Sequence, residues 1–404
     1  MDEKAGSSLG TTNLPISAAP WKDLAFEREE YDQRVARVRQ SMAERSLELL
    51  LIFTPENVNY LTGYDTIGYS SYLCLALPLE GDPVLIIREM ERGVAMSTTW
   101  LTDFATSGDT DDPIERTLDA LRARELLQRR KAMESTAPFM TARTWLRLRA
   151  ALGDGEIADG SELVERARAV KSQAEIEKIR TACRLVGLGM DAALAAVQPG
   201  RTENQVALAA YGAMVGNGSD PLVSNPIVTS GPRSGVAHTS FKNRTLAAGD
   251  TVLIELGACV SRYGGALMRT AVLGPPSSEV RAMNDVVLRS LNAAIDAIKP
   301  GVTAGSVDQA CRGAIEEAGF EAMFRKRTGY SVGVAFAPDW GEGHIVSLRR
   351  DDPTKLAPGM VFHMPPALRA FQRQCVGMSE TVLVTDNGCE VLTKHPRSLH
   401  VVKD

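Results

Sequence analysis

Two side chains near the middle of the sequence are of types that can do hydrolytic chemistry. His238, in GVAHTSF, can exchange a proton near neutral pH, because an imidazole both accepts and releases one there; a lone structural histidine is the plain alternative. Glu255, in TVLIELGA, lies in a run whose composition reads as a strand. Period-2 alternation puts Leu253, Glu255 and Gly257 on one face and Val252, Ile254 and Leu256 on the other. A carboxylate in so apolar a strand is costly to bury unless it is paired. It either holds a cationic group or attacks an electrophilic carbon covalently; the plain alternative is a solvent-facing edge position. A third stretch, GYSVGVAFAPDWGEGH, offers Tyr330, Asp339, Trp340 and Glu342. Carboxylates supply charge and an indole supplies a cation–π face, which together suit a small cationic or zwitterionic ligand. A turn with a packed tryptophan is the plain alternative. His344, His363, His395 and His400 have no comparable setting and read as structural.

The elements that would carry these residues are legible in outline. FEREEYDQRVARVRQSMAERSLELLLI predicts a helix with Tyr31, Val35, Val38 and Met42 on one stripe, running into a buried strand. YLCLALPLEGDPVLIIR predicts two strands around a Gly-Asp turn, and a helical stretch follows near 113–130. In VKSQAEIEKIR, Ser172 and Glu175 have capping-box spacing. Apolar residues then recur at helical spacing from Ile176 to Val197 until Pro199-Gly200 stops the helix. Further on, helices alternate with Val/Ile/Leu strands and Gly-Asp, Pro-Gly and Asn-Gly turns, and IELGACVSRYGGALMRT reads as strand, Gly/Tyr turn, strand. The reading is an arm over 1–24, an α/β domain over 25–165 and an α+β domain over 166–404.

A chain of 404 residues is long enough for two domains, since single cores stop growing near ~250–300 residues. A net charge of −5 and the lack of a Lys/Arg stripe give no hint of nucleic acid. No run of 18 apolar residues suggests a membrane span, and the first twenty residues lack the basic start and apolar stretch of a secretory signal. Six scattered cysteines show no CxxC pair or metal-ligand spacing, which points to reduced thiols and a cytoplasmic setting.

These pieces arrive in an order that resembles the pita-bread superfamily of methionine aminopeptidases, prolidases and creatinases. They are ENVNYLTGY, VKSQAEIEKIR, PGRTENQ, SGPRSGVAHTSFKNRTLAAGD, IELGACVSRYGGALMRT, GYSVGV, GMVFHMPPA and MSETVLVTDNGCEVLT, spanning about residues 28–400. The resemblance implies a creatinase-like N-terminal α/β domain, a pita-bread catalytic domain and a homodimer whose active site is capped by the partner's N-terminal domain. It also implies two divalent ions held by two Asp, one His and two Glu, donors of the kind such a pair needs. Here those positions hold Glu255, Ala266, Tyr330, Pro365 and Ser379, so the expectation is no metal and no other cofactor. The PDWGE run is similar to creatinase-like and ectoine-hydrolase-like proteins, the metal-free branch. His238 stands where the superfamily keeps a substrate-contacting histidine, and the resemblance to creatinase implies that it shuttles a proton from water to a leaving nitrogen; Glu380, beside Ser379, joins as a candidate cation contact. From the N-terminal domain, Tyr69 in YDTIGYSSY and Arg88 in IREMERG are candidates to border the partner's pocket.

Three functions remain in play on these residues. One is a metal-independent creatinase-like hydrolase of a non-peptide C–N bond in a small amidine, guanidine or related amino-acid derivative. The second is an Xaa-Pro metallopeptidase of the aminopeptidase P or prolidase kind. The third is a non-catalytic pita-bread binding protein.

Overall fold

The computed structural model describes residues 21–153 and 155–403. Most of the expected arm, residues 1–20, therefore lies outside the described residues. Of its last residues, Lys22 donates to the Thr99 carbonyl at 2.6 Å and the Asp23 amide to Ser97 at 2.7 Å, which ties them to the first domain.

Six strands form the first sheet: β1 (Leu49–Ile52), β2 (Cys74–Pro78), β3 (Val84–Arg88), β4 (Phe104–Ser107), β5 (Lys131–Met133) and β6 (Ile157–Asp159), in the order β4-β3-β2-β1-β5-β6. β1, β2 and β3 pair antiparallel, and the outer pairs are parallel. The helices of this half are α1 (Arg28–Glu44), α2 (Pro55–Thr62), α3 (Arg92–Thr98), α4 (Pro113–Arg122), α5 (Ala142–Ala151) and α6 (Leu163–Ala169). The α1 stripe is buried as its spacing requires, with Tyr31, Val38 and Met42 at 0% exposure, and α6 packs against α1 and α2.

The second half opens with α7 (Gln173–Ala196) and α8 (Glu203–Gly216). Ser172 and Glu175 make the reciprocal capping box that starts α7. Both helices back a sheet of β7 (Ile227–Ser230), β8 (Thr251–Val260) and β9 (Tyr263–Leu273), to which β17 (His400–Val402) adds at the far edge. A second helix pair, α9 (Ser278–Ala297) and α10 (Ala304–Glu316), backs a sheet of β10 (Gly329–Ser331), β11 (Ser347–Leu348), β12 (Val361–Met364), β15 (Glu380–Thr385) and β16 (Gly388–Val391). The hairpin β13 (Ala367–Ala370) and β14 (Gln374–Gly377) bridges the two halves, with β14 lying against β8 and β9. Two helix-backed sheets facing each other make the pita-bread architecture.

One local expectation is corrected. The β8–β9 turn is not at Gly/Tyr: Ser261 and Arg262 turn the chain, with φ of 50° and 69°, and Tyr263 already lies in β9. Two positive φ values in a two-residue loop match the right-handed twist of the flanking strands. Gly264 and Gly265 are strand residues. A Cβ on Gly265 would lie 2.6 Å from the Cys183 amide nitrogen, so this glycine lets α7 approach the sheet. From the hairpin tip, Arg262 Nε reaches Asp65 of the first domain at 2.7 Å and its guanidinium stacks on Phe336.

Candidate active site

β8 is the platform of the site. Val252, Ile254 and Leu256 pack under α7 and α8, which turns Leu253, Glu255 and Gly257 to the opposite face. Glu255 is an interior position, paired with Ile227 on β7 and Met268 on β9, and only partly exposed. The edge alternative therefore falls. Next along that face, Gly257 leaves room for Trp340: a Cβ there would lie 2.7 Å from the indole Cε3.

Trp340 Nε1 donates to the Tyr330 hydroxyl at 3.1 Å. Tyr330 and His363 are cross-strand partners on β10 and β12, with His363 Nδ1 3.0 Å from that hydroxyl and its Nε2 2.7 Å from Ser379 Oγ. Burial, helped by the Lys326 charge, holds the fully buried His363 down to about 3, so the ring is neutral. The tautomer that uses every donor takes the Tyr330 proton at Nδ1 and gives its own Nε2 proton to Ser379. The result is a directed chain from Trp340 through Tyr330 and His363 to Ser379. Burial and the nearby Glu255 charge raise the Tyr330 phenol, which keeps its proton. Burial lowers the Lys326 ammonium, and Glu255 is the largest influence holding it up. Glu255, Lys326, Tyr330 and His363 thus form one electrostatic cluster.

The donor set at this cleft does not fit a pair of divalent ions. Ala266 has no side-chain donor, and its backbone amide and carbonyl are taken by Thr381 Oγ1 at 3.2 and 2.8 Å. Pro365 has none either. The Tyr330 and Ser379 hydroxyls are engaged by His363 and are poor ligands while protonated. Among the described residues no three His, Cys, Asp or Glu side chains converge as metal ligands.

The other candidates fall elsewhere. His238 stands in an exposed turn with φ of 56°. Its ring has no hydrogen-bond partner among the described residues, and a positive φ in a non-glycine residue is the strain that clusters at functional positions. Glu342 is not a free ligand contact: one oxygen accepts from Arg168 at 2.6 Å and the other from Lys171 at 2.8 Å, all buried. Two cations at the domain junction hold its carboxyl below the usual value despite burial. Glu380 is likewise occupied, by Arg269 at 2.7 Å, Arg397 at 3.2 Å and Thr393. Asp339 is exposed and accepts the Gly341 amide. Tyr69 packs between Phe139 and Phe336 of its own chain. Arg88 pairs with Asp109 at 2.7 Å on the surface of the first domain. Lys326, His363 and Ser379 were not among the candidates. Tyr330 and His363 stand 33 residues apart, and only the pairing of β10 with β12 brings them together.

Comparison with known proteins places this geometry in a family. Residues 177–386, just over half of the chain, match Metallopeptidase family M24, and residues 34–170 match the Creatinase/Prolidase N-terminal domain. The chain belongs to the M24 family. Ectoine hydrolase of Halomonas elongata is 30% identical over 94% of this chain and 98% of its own length. An uncharacterized hydrolase/peptidase of Sinorhizobium fredii is 33% identical over 94% of this chain and 99% of its own length. Among solved structures, dipeptidase PepE of Mycobacterium ulcerans superposes with a TM-score of 0.81 at 27% identity, covering 94% of this chain and 100% of that one. The shared two-domain M24 architecture thus carries a cleft in which Tyr330, His363 and Ser379 form one hydrogen-bonded chain.

Proposed function

We propose that this M24 protein is a metal-independent hydrolase of a non-peptide C–N bond in a small amidine, guanidine or related amino-acid derivative. The coarser class, hydrolysis of carbon–nitrogen bonds, is that of the relatives named ectoine hydrolase and Xaa-Pro dipeptidase. The observation that carries the finer reading is the Trp340–Tyr330–His363–Ser379 chain, two of whose hydroxyls, Tyr330 and Ser379, stand at positions where the resemblance expects metal donors, with Glu255 the one carboxylate left among those positions.

In this reading His238 takes a proton from water as the oxygen adds to carbon, and gives it to the nitrogen as the C–N bond breaks. Glu255 faces the electrophilic carbon. The Tyr330 phenol, kept protonated, donates or accepts without changing charge. His238 lies open to solvent in the single chain, where an imidazole competes with bulk water. The reading therefore includes a homodimer in which a partner's N-terminal domain covers the cleft.

Elemental analysis of purified protein tests the metal. Well under one Mn, Co, Zn or Fe per chain is expected, and two ions whose removal abolishes turnover would return the chain to the Xaa-Pro metallopeptidase reading. Light scattering at micromolar concentration tests the dimer.

A further inference from the structure

One buried carboxylate of the second domain lies outside the site described above. Glu203 opens α8 and is 0% exposed. Its Oε1 accepts from the Ser230 amide and hydroxyl, both at 2.8 Å, and its Oε2 from the Lys242 amide at 2.9 Å. Ser230 ends β7, Lys242 follows the turn, and His238 lies between them. A single side chain therefore closes the loop that carries the imidazole. A carboxylate taken out of water is costly unless donors meet it, and the donors that meet Glu203 all belong to this loop.

Two further contacts reinforce the closure. Arg233 stands with Nε 3.5 Å from Glu203 Oε1, an ion contact, and its Nη2 donates to the Ser240 carbonyl just beyond His238. Asn204, next along α8, accepts the Asn243 amide at 2.6 Å through Oδ1. The near side of the loop is fixed separately, by Arg369 Nη1 on the Ser234 carbonyl at 2.7 Å and by the Cys375 amide on Ser234 Oγ at 2.9 Å. Between these fastenings His238 holds its φ of 56°. Any residue but glycine is strained in that region and stays there only where its surroundings over-determine it.

We infer that the first turn of α8 is a clamp that positions His238 for the reaction, with Glu203 as the positioning residue and Asn204 as its support. The inference rests on the shuttle role given to His238 in the proposed function. Glu203 touches no substrate, since it is sealed from solvent; it acts through the backbone on either side of the imidazole. Proton transfer needs donor and acceptor within about 2.6–3.2 Å of each other. An imidazole on a loop freed at one end is out of that reach in many of its conformations. Glu203→Gln breaks the clamp selectively: the amide oxygen still accepts from Ser230, but the amide NH2 meets the Lys242 N–H donor to donor.

The test needs no substrate. Denaturant titration compares His238→Gly with His238→Ala, in the parent and in Glu203→Gln. While the clamp holds, glycine adopts a φ of 56° without strain and alanine does not. His238→Gly should then have the larger folding constant, by roughly threefold or more. Once Lys242 is released the loop relaxes, and that advantage should vanish or reverse, because glycine also gives the unfolded chain more freedom. Carbon-13 labelling of the five histidines gives a second reading: Glu203→Gln should move the His238 resonance and leave that of His363, buried on β12. If Glu203→Gln fails to fold, Asn204→Ala, at an exposed position, makes the same comparisons by removing the acceptor of the Asn243 amide. The inference is overturned by an equal glycine advantage in both backgrounds, or by histidine resonances that all move together or not at all. Those failures leave the shuttle intact. Normal turnover in His238→Ala would instead remove the shuttle and, with it, the clamp's part in the reaction.

Discussion

At Glu255 one carboxylate acts on a partly buried ammonium and a partly buried phenol at once: its charge supports the Lys326 proton and raises Tyr330. That shapes what a substitution should do. A carboxylate already opposed by Lys326 gains little by meeting a second cation in the ground state, whereas its charge can stabilise the positive charge that develops as the nitrogen takes its proton and the C–N bond breaks. Glu255→Gln is therefore expected to collapse turnover while substrate affinity, read by titration, changes little. Weakened binding with turnover retained would instead assign Glu255 to holding a cationic substrate. His238→Ala should lower turnover by ~10²–10⁴-fold, the usual worth of general acid–base catalysis, with affinity again little changed because the imidazole acts in the transition state. Normal turnover in that variant would remove the shuttle. Glu342 shows the opposite logic: with Arg168 and Lys171 on its two oxygens, Glu342→Ala leaves two buried cations unpaired. A stability loss of about 3–5 kcal/mol in denaturant titration is the expected cost.

The elements explain why some of this was readable and some was not. The α1 stripe, the α7 capping box and the alternation in β8 are local patterns, and each appears where its spacing puts it. Glycine misled because it has two uses. In the β8–β9 hairpin, Gly264-Gly265 reads as turn punctuation, yet the turn is made by Ser261-Arg262 and Gly265 is spent on contact with α7. The cleft was half legible for a related reason. Glu255, Tyr330 and Trp340 announced themselves by type and neighbours, but Lys326, His363 and Ser379 join them only through strand pairing across β10, β12 and the start of β15. Glu342 and Glu380 looked like free carboxylates because their counter-charges, Arg168, Lys171, Arg269 and Arg397, are remote in sequence. The α7–β9 contact gives its own test. Gly265→Ala pushes a methyl into Cys183 and the Ala182 carbonyl carbon, backbone atoms that cannot swing aside. Overpacking of this kind typically costs about 1–3 kcal/mol, so the denaturation midpoint should fall, whereas Gly264→Ala, with nothing nearer than 3.7 Å, should cost less.

Across the whole molecule, one polar network ties the first sheet to the second domain. Glu134, just past β5, accepts from the Phe53 and Thr54 amides, the Thr54 hydroxyl and Asn57, at 2.6–2.8 Å. Asn57 continues to Glu165 and Arg168, and Arg168 to Glu342. Four donors on Glu134 favour its charged form, but burial, and after it the Glu165 charge, win and push the carboxyl up to about 7 from an ordinary value of 4.5. The folded chain then holds a proton between those two values that the unfolded chain has released. Stability owed to this group is full below the ordinary value and is lost as pH rises towards 7. Other carboxylates, Glu342 among them, slope the opposite way, so the net curve does not isolate Glu134; a difference between two proteins does. Glu165→Gln keeps the oxygen that accepts from Asn57 and removes the charge that helps raise Glu134. Glu134 then titrates nearer its ordinary value, and the interval over which it opposes folding narrows from above. Denaturation midpoints taken from pH 4.5 to 8 should show the variant gaining on the parent through the upper half of that interval and holding its gain above neutrality. Parallel curves for the two proteins would mean that Glu134 carries no extra proton in the folded state, and that its four donors, not its burial, decide its charge at the domain junction.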